Sequence, residues 1–475
     1  MKKLLIFVFP LLTLSGCRKD LTSLNVDPKS PSVVPSTGLF TNAQRELAST
    51  VASSNVNLNI FRLIEQHWTQ TTYTDESNYD IFTREIPGFL WTTMYRDVLR
   101  DFQEARTLIA TEEMSEPVRK NQLAVVDIME VYSWYYLVTT FGNIPYTEAL
   151  NIDNPFPKYD DQAAIFTDLV KRLDSDITAL DIKEESLGTA DIVYGGDAAQ
   201  WKKFAASLKL KVGMTLADAD PAASKAAVES AIATGIFTSN ADNAEFRFLA
   251  SPPNTNPIWE DLVQSGRKDF VGAATFVDTL KFFADPRLPL YFTPDASTVD
   301  YSGGKPGASN NYATFSKPAT TITSPDFPGV LLDYSEIEFF LAEAVERGYA
   351  VPGTAAEHYN NAITASIEYW GGSMADVTTY LADPKVNYAT AGADFKQKIG
   401  FQKWIALYNR GWDAWTETRR LDAPTLPAPE LAISDFPVRL TYSVDEQNIN
   451  TTNYNTAAKA IGEDKVTTKL FWDKF

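Results

Sequence analysis

The chain has 475 residues, 44% hydrophobic and 22% charged, which is enough apolar material for a full core in one large domain or two to three ordinary ones. Its formal net charge of −19 excludes the clustered Lys/Arg surface of a nucleic-acid binder and a membrane anchor built on basic patches. One cysteine and two histidines exclude a disulfide framework and leave little for zinc or His-based nucleophilic chemistry.

Lys2 and Lys3 precede an apolar run, Leu4 to Leu14, broken only by Pro10 and Thr13. The small residues Ser15 and Gly16 come next, followed at once by Cys17. Charge, apolar run and small residues in that order form a secretory signal, and the run is shorter than the roughly 20 residues a spanning helix needs. Small residues directly before a cysteine match the lipobox of bacterial lipoproteins, in which the thiol is alkylated by lipid. The reading is a signal peptide over 1–16, a lipidated Cys17 and a tether over 17–36 that contains Pro28, Pro31 and Pro35. Several buried acyl chains then hold the protein to a membrane that it does not span.

The globular part is expected over 37–475. Leu39, Ala43, Leu47 and Val51 recur at helical spacing, and Ile60 to Trp68 gives a second helical pattern. Thr69 to Tyr79 is polar and reads as a loop. Trp91, Tyr95, Val98, Leu99 and Phe102 share one helix face. Val118 to Phe141 is apolar almost all round, which predicts a central, buried helix stopped by Gly142 and Pro145. Asp160 is expected to open the next helix and Asp197 to cap another, followed by an Ala-rich helix over Ala222–Thr234. Residues 237–333 are rich in Pro and Gly, with helical periodicity only around Val271 to Phe283, and predict a long functional insertion. Helices return at Ser335–Gly348, Thr354–Tyr369 and Asp394–Arg420, and a loop-rich tail follows Pro424. Ala342, Ala344 and Gly348 against Ala356, Tyr359, Ala362 and Ile363 give the small/large alternation of a tetratricopeptide unit or of an ordinary helical hairpin.

Nine segments in order then carry a resemblance: NVDPKSP (Asn25–Pro31), LFTNAQ (Leu39–Gln44), FGNIPYTEAL (Phe141–Leu150), GDAAQWKKFAASLKLKVGM (Gly196–Met214), SGRKDF (Ser265–Phe270), ADPRLPLYF (Ala284–Phe292), SEIEFFLAEAVERG (Ser335–Gly348), FQKWIALYNRGWDAWTETRR (Phe401–Arg420) and FPVRLTYSVDEQNIN (Phe436–Asn450). Together with the lipobox, they resemble the SusD/RagB-like outer-membrane lipoproteins of Bacteroidetes, in the SusD-like 2 branch. The resemblance implies a mostly all-α fold of four tetratricopeptide-like hairpins, with irregular insertions carrying the ligand face. It also implies a non-enzymatic protein at the cell surface that captures glycan or another nutrient for a SusC-like TonB-dependent transporter. Arg18-Lys19-Asp20 holds a single acid after the cysteine, whereas surface display in this phylum is often linked to several.

Neither histidine, His67 nor His358, sits in a ligand-spaced or triad-like motif, and both are expected to be packed or surface helix residues. Gly303-Gly304-Lys305 lacks P-loop spacing and reads as a turn. The Arg419-Arg420 pair ends a helix, where it complements the dipole. Binding is the better chemical case. A sugar offers an apolar face of C–H groups and a rim of hydroxyls, which suits Tyr and Trp platforms beside Asn, Asp and Arg. Candidate contacts are Tyr73, Asn78 and Tyr79 in the first polar loop, with Trp91 near it in sequence, and Trp259 and Tyr301 in the Asn254–Trp259 and Tyr301–Tyr312 stretches. Trp134, Trp201, Trp404, Trp412 and Trp415 fall on helical stripes and are assigned to core or interface. No catalytic residue, cofactor or metal ligand is assigned, although loop carboxylates and carbonyls could hold a structural Ca²⁺. A polysaccharide, an oligosaccharide or a peptide fits as ligand. A lipid-anchored glycan hydrolase and a ligand-free helical scaffold remain the alternatives.

Overall fold

The computed structural model describes residues 34–296 and 298–475. The signal segment, Cys17 and nearly all of the tether lie outside the described residues. From Ser36 to Phe475 the chain clusters as one unit.

Its principal helices are α1 (Ser36–Ala52), α2 (Arg100–Ile109), α3 (Glu116–Phe141), α4 (Gln162–Ala179), α5 (Ala198–Thr215), α6 (Pro221–Thr234), α7 (Ala274–Phe282), α8 (Tyr334–Glu346), α9 (Ala355–Tyr369), α10 (Phe395–Ala406), α11 (Gly411–Leu421) and α12 (Thr451–Ala460). They pack chiefly as pairs: α1 on α2, α3 on α4, α5 on α6 and α8 on α9. Strands are few and short. β1 (Trp68–Gln70) pairs antiparallel with β3 (Phe270–Gly272), and β2 (Ala244–Phe246) with β4 (Gly329–Leu332). Two further antiparallel pairs are two residues long.

Local chemistry explains the helix limits. Pro117 sits in the first turn of α3, where its missing N–H costs nothing, and Gly142 ends the helix at φ 85°. From Ala124 to Phe141 only Asp127 is not buried, so α3 is the central helix its all-round apolar sequence predicts. Asp161, rather than Asp160, caps α4, accepting from the N–H groups of Ala163 and Ala164. Asp160 is drawn away because its carboxylate accepts from the N–H groups of Tyr146 and Thr147. Asp197 caps α5 as expected, and Thr354 with Glu357 forms a capping box on α9.

Besides the cap expected at Asp160, three expectations are corrected. The span 394–420 is two helices, because Gly411 lies against the backbone of Arg62: a Cβ there would come within 2.6 Å of the Arg62 nitrogen. The helical pattern over 60–68 yields one turn, Phe61–Ile64, before the chain extends into β1. The pattern at Val271–Phe283 shortens to α7, since residues 270–272 pair with β1 instead. The tail after Pro424 is loop-rich as expected and carries a short helix, Val444–Ile449, and α12.

The interior also contains charge. Arg420 forks onto Glu343 at 2.6 and 2.5 Å and reaches Glu417 at 2.6 Å, while Lys403 meets Glu417 at 2.7 Å. Arg410 bridges Glu336 (2.6 Å) and Asp413 (2.7 Å), and Lys211 pairs with both of those carboxylates. All of these side chains are buried. The Arg419-Arg420 pair therefore does not lie in solvent at a helix end. Arg419 donates to the carbonyls of Trp415, Thr139 and Val438, and burial lowers its pKa to about 9 against the opposing pull of Asp473, Glu65 and Glu417. Paired charges of this kind fix the register of packed helices, and removing one partner is costly.

Candidate functional site

Two stretches that are distant in sequence build one surface. β1 ends at Gln70 and the chain turns through Thr71–Tyr79. Thr71 N–H donates to the Asp269 carbonyl at 2.9 Å, continuing the β1–β3 ladder. The glycine-rich segment then closes over this edge: Asn310 N–H donates to the Thr71 carbonyl (2.9 Å), and Asn310 Nδ2 to the Gln70 carbonyl (2.9 Å). Asn310 is buried and also accepts from Lys305 N–H, so one amide folds its own loop and pins it to the other. Asn78 does the same from the opposite side. Its Nδ2 donates to the carbonyls of Thr74 (2.9 Å) and Gly307 (2.8 Å), and its Oδ1 accepts from Leu431 N–H (2.9 Å).

This approach requires glycine at 307. Its φ is +77°, and a Cβ there would lie 2.1 Å from Asn78 Oδ1. Beneath the first loop, Gln70 holds the turn by donating to Glu76 (2.6 Å) and accepting from Ser77 N–H (3.0 Å). Glu76 also pairs with Arg84 at 2.7 Å, although burial still pushes its pKa up.

What this frame presents is Tyr73, 78% exposed and held at φ 55°, and Tyr312, half-buried with Lys317 Nζ 5.1 Å and Lys268 Nζ 5.9 Å from its ring. Thr72, Asp75 and Asn311 are exposed beside them. A non-glycine residue in the left-handed region costs energy, and here it turns a large amphipathic ring outward.

The six sequence-selected residues divide. Tyr73 is at the surface, and Tyr301 is half-buried on the same glycine-rich segment. Its carbonyl accepts from Lys281 Nζ at 3.0 Å. Asn78 and Tyr79 are buried and act within the frame: Tyr79 packs edge-on to Phe436, and its burial pushes the phenol up to about 12. Trp91 is buried among Tyr95, Phe141, Tyr159 and Tyr442. Trp259 is half-buried on the separate Pro257–Trp259 turn. Asn256 caps that turn and ties it to Phe327 at 2.7 Å. Sequence reading did not single out Tyr312, although it bounds a selected stretch, nor Lys268 and Lys317, whose ammonium groups lie near its ring.

The two histidines lie in different settings. His67 lies in the turn before β1 rather than on a helix. It is fully buried against Phe276 and Trp404, and its pKa is lowered to about 3 by desolvation. His358, on α9, is held between Glu338 (2.7 Å) and the Pro352 carbonyl (2.8 Å). Among the described residues, no three His, Cys, Asp or Glu side chains come together to hold a metal ion, and no helix is long and apolar enough to cross a membrane.

The described chain is a scaffold of helical pairs carrying irregular loops, one of them tipped by an exposed tyrosine. The family model SusD-like_2, described as "Starch-binding associating with outer membrane", matches residues 28–443, and the chain belongs to that family. Solved structures agree. A chitin-binding protein superposes with a TM-score of 0.81 at 26% identity, covering 93% of this chain and all of the other. A SusD homolog from Bacteroides uniformis superposes with a TM-score of 0.79 at 25% identity over 92% of this chain and 99% of that one. A chitin-binding SusD homolog from Flavobacterium johnsoniae superposes with a TM-score of 0.79 at 22% identity over 92% and 98%. Comparison with curated proteins gave no match. The SusD-like fold of these structures is the tetratricopeptide-like helical fold the sequence predicts.

Proposed function

We propose that this protein is a non-enzymatic glycan-capture lipoprotein. Cys17 carries the lipid, the outer membrane is the anchor, and the exterior is the facing side. The Tyr73–Tyr312 face takes a polysaccharide or oligosaccharide and passes it to a SusC-like TonB-dependent transporter. The observation that carries this reading is the pinning of two separate loops by Asn78 and Asn310, which holds an exposed tyrosine and a lysine-flanked tyrosine on one rigid frame. A preformed aromatic face with few polar groups suits the C–H face and hydroxyl rim of a sugar. The family description and the chitin-binding names of two structural relatives favour glycan over peptide.

The test is calorimetric titration of the chain with chitin oligosaccharides, maltooligosaccharides and a peptide panel, with product analysis for hydrolysis. Binding to one glycan series without cleavage is expected. Tyr73→Ala and Tyr312→Ala should each weaken it by on the order of 1–2 kcal/mol, the loss of a stacked aromatic contact. Cleavage products would establish the hydrolase. Tight peptide binding would replace the ligand class. Glycan binding indifferent to both substitutions would discard this face.

A further inference from the structure

The last turn of α7 is left partly uncovered. Phe282 is 63% exposed, and Phe283 after it and Phe401 on α10 are half-buried. The three rings form a row: Phe282 and Phe283 lie 5.1 Å apart at 76°, and Phe283 and Phe401 lie 6.2 Å apart at 64°. Helical spacing makes this row. Asp278 and Phe282 stand four residues apart on α7, and Lys398 and Phe401 three apart on α10, so each pair shares a face. Single exposed aromatics are ordinary, whereas a contiguous apolar row beside a cavity marks a binding surface.

That cavity holds about 770 Å³, within the roughly 300–1,000 Å³ usual for small-molecule sites. The chain over Thr390–Ala393, whose side chains are small, also lines it and leaves room beside the rings. Tyr359 and Gln402 lie at its floor and are each 1% exposed. Their polar groups are engaged within the protein: the Tyr359 hydroxyl donates to the Val386 carbonyl at 2.9 Å, and the Gln402 amide bonds Arg287 (3.0 Å) and Tyr380 (2.9 Å). A ligand therefore meets apolar surface within and charge only at the rim.

The rim charges select the ligand. Asp278, Lys385 and Lys398 line the cavity, two ammonium groups to one carboxylate in a chain of net charge −19. Lys385 is committed. Its Nζ donates to the Phe282 carbonyl, lies 4.8 Å from the Phe282 ring and 3.6 Å from Asp383, and so steadies the exposed ring. Lys398 is not committed. It is half-buried, and its Nζ lies 4.7 Å from the Tyr388 ring, but among the described residues no carboxylate comes within 4.0 Å of it. A half-buried ammonium without a counter-charge is costly, and a charge-assisted bond to an anion relieves it.

We propose that this cavity binds an aromatic carboxylate, with the ring packed among Phe282, Phe283 and Phe401 and the acid group paired with Lys398. An acid without an apolar body gains little from one lysine near water. An uncharged arene would leave Lys398 covered and unpaired. The site shares no residue with the Tyr73–Tyr312 face and does not rest on the function assigned to that face.

The experiment is equilibrium dialysis of the full chain in lipid nanodiscs, with empty nanodiscs as the blank. The probes are 2-naphthylacetate, its neutral amide 2-naphthylacetamide, and acetate. Naphthylacetate should be retained saturably at one molecule per chain, the amide about tenfold more weakly, and acetate not at all. Added salt should weaken the acid and leave the amide unchanged. Lys398→Gln should bring the acid down to the amide without moving the amide, a charge-specific effect that a merely structural lysine would not give. Phe282→Ala should weaken acid and amide alike, by about tenfold. Both side chains reach the surface, so both variants should melt with the parent, and Tyr73→Ala should leave binding unchanged. No saturable retention above the blank, equal affinity for acid and amide in the parent, or either cavity variant binding both probes like the parent would overturn the assignment.

Discussion

Gly307→Ala is the sharpest perturbation of the loop frame. Position 307 has φ +77°, and the added methyl carbon would sit 2.1 Å from Asn78 Oδ1 and 2.9 Å from Pro429 Cβ. The left-handed backbone alone costs an L-residue about 1–2 kcal/mol. Relieving the clash displaces the Asn78 amide, which forfeits its bonds to the Gly307 carbonyl and from Leu431 N–H, each worth about 0.5–1.5 kcal/mol. The sum is on the order of 3 kcal/mol, or roughly a hundredfold in the opening equilibrium of the frame. Because the cost is local, hydrogen exchange is the assay. Peptides over 71–80, 302–312 and 428–434 should lose protection while α3 and α5 keep theirs, and glycan affinity should fall with them. Gly195→Ala supplies the comparison: φ is +62° with nothing within 4 Å, so only backbone strain applies. Equal exchange in Gly307→Ala and parent, or an effect no larger than that of Gly195→Ala, would refute the claim that the two loops are held together at this contact.

Further outcomes follow from the buried titratable groups. His358 is raised above its ordinary 6.5 by Glu338 and the Pro352 carbonyl, which outweigh desolvation. Its contribution to stability is therefore full below about 6.5 and lost as pH rises through the higher folded value; His358→Gln should flatten stability across that window in chemical denaturation. In NMR only this imidazole should titrate near neutrality, because His67, lowered to about 3, stays neutral. Glu417 is held near 2 by Arg420 and Lys403 against desolvation, so it stabilises above its unfolded value near 4.5 and is lost only as pH falls toward 2. Glu417→Gln should cost about 3–5 kcal/mol at pH 7. Glu65 behaves in the opposite sense. Burial lifts it to about 8, so stability falls as pH rises from about 4.5 to 8, and Glu65→Gln should remove that slope with little loss at pH 7. A loss for Glu65→Gln as large as that for Glu417→Gln would contradict the Glu65 assignment, and a negligible loss for Glu417→Gln would contradict the other.

Helices and their limits were legible because helix formation is local. Apolar spacing placed α1, α3, α5 and α8 within a residue or two, and Asp197 caps α5 where the sequence puts it, while the cap expected at Asp160 falls one residue on. The tryptophans on helical stripes are buried as their spacing requires. The ordered segments along the chain also carried the family resemblance. Which loop aromatic faces solvent was not legible. Tyr73 and Tyr79 sit six residues apart in one polar loop and both have positive φ, yet one is 78% exposed and the other 2%. That difference is set by what arrives from elsewhere, since Phe436 and Gln66 close over Tyr79 and nothing closes over Tyr73 to the same degree. The split of 394–420 into two helices likewise depends on the backbone of Arg62 reaching Gly411. Sequence alone therefore determined the helical class, the main helix positions, the acidic charge and the family. The tertiary structure decided which loops come together in the proposed face, because the bonds from Asn310 to Gln70 and from Asn78 to Gly307 join residues more than two hundred positions apart, and such pairings leave no periodic trace in the chain.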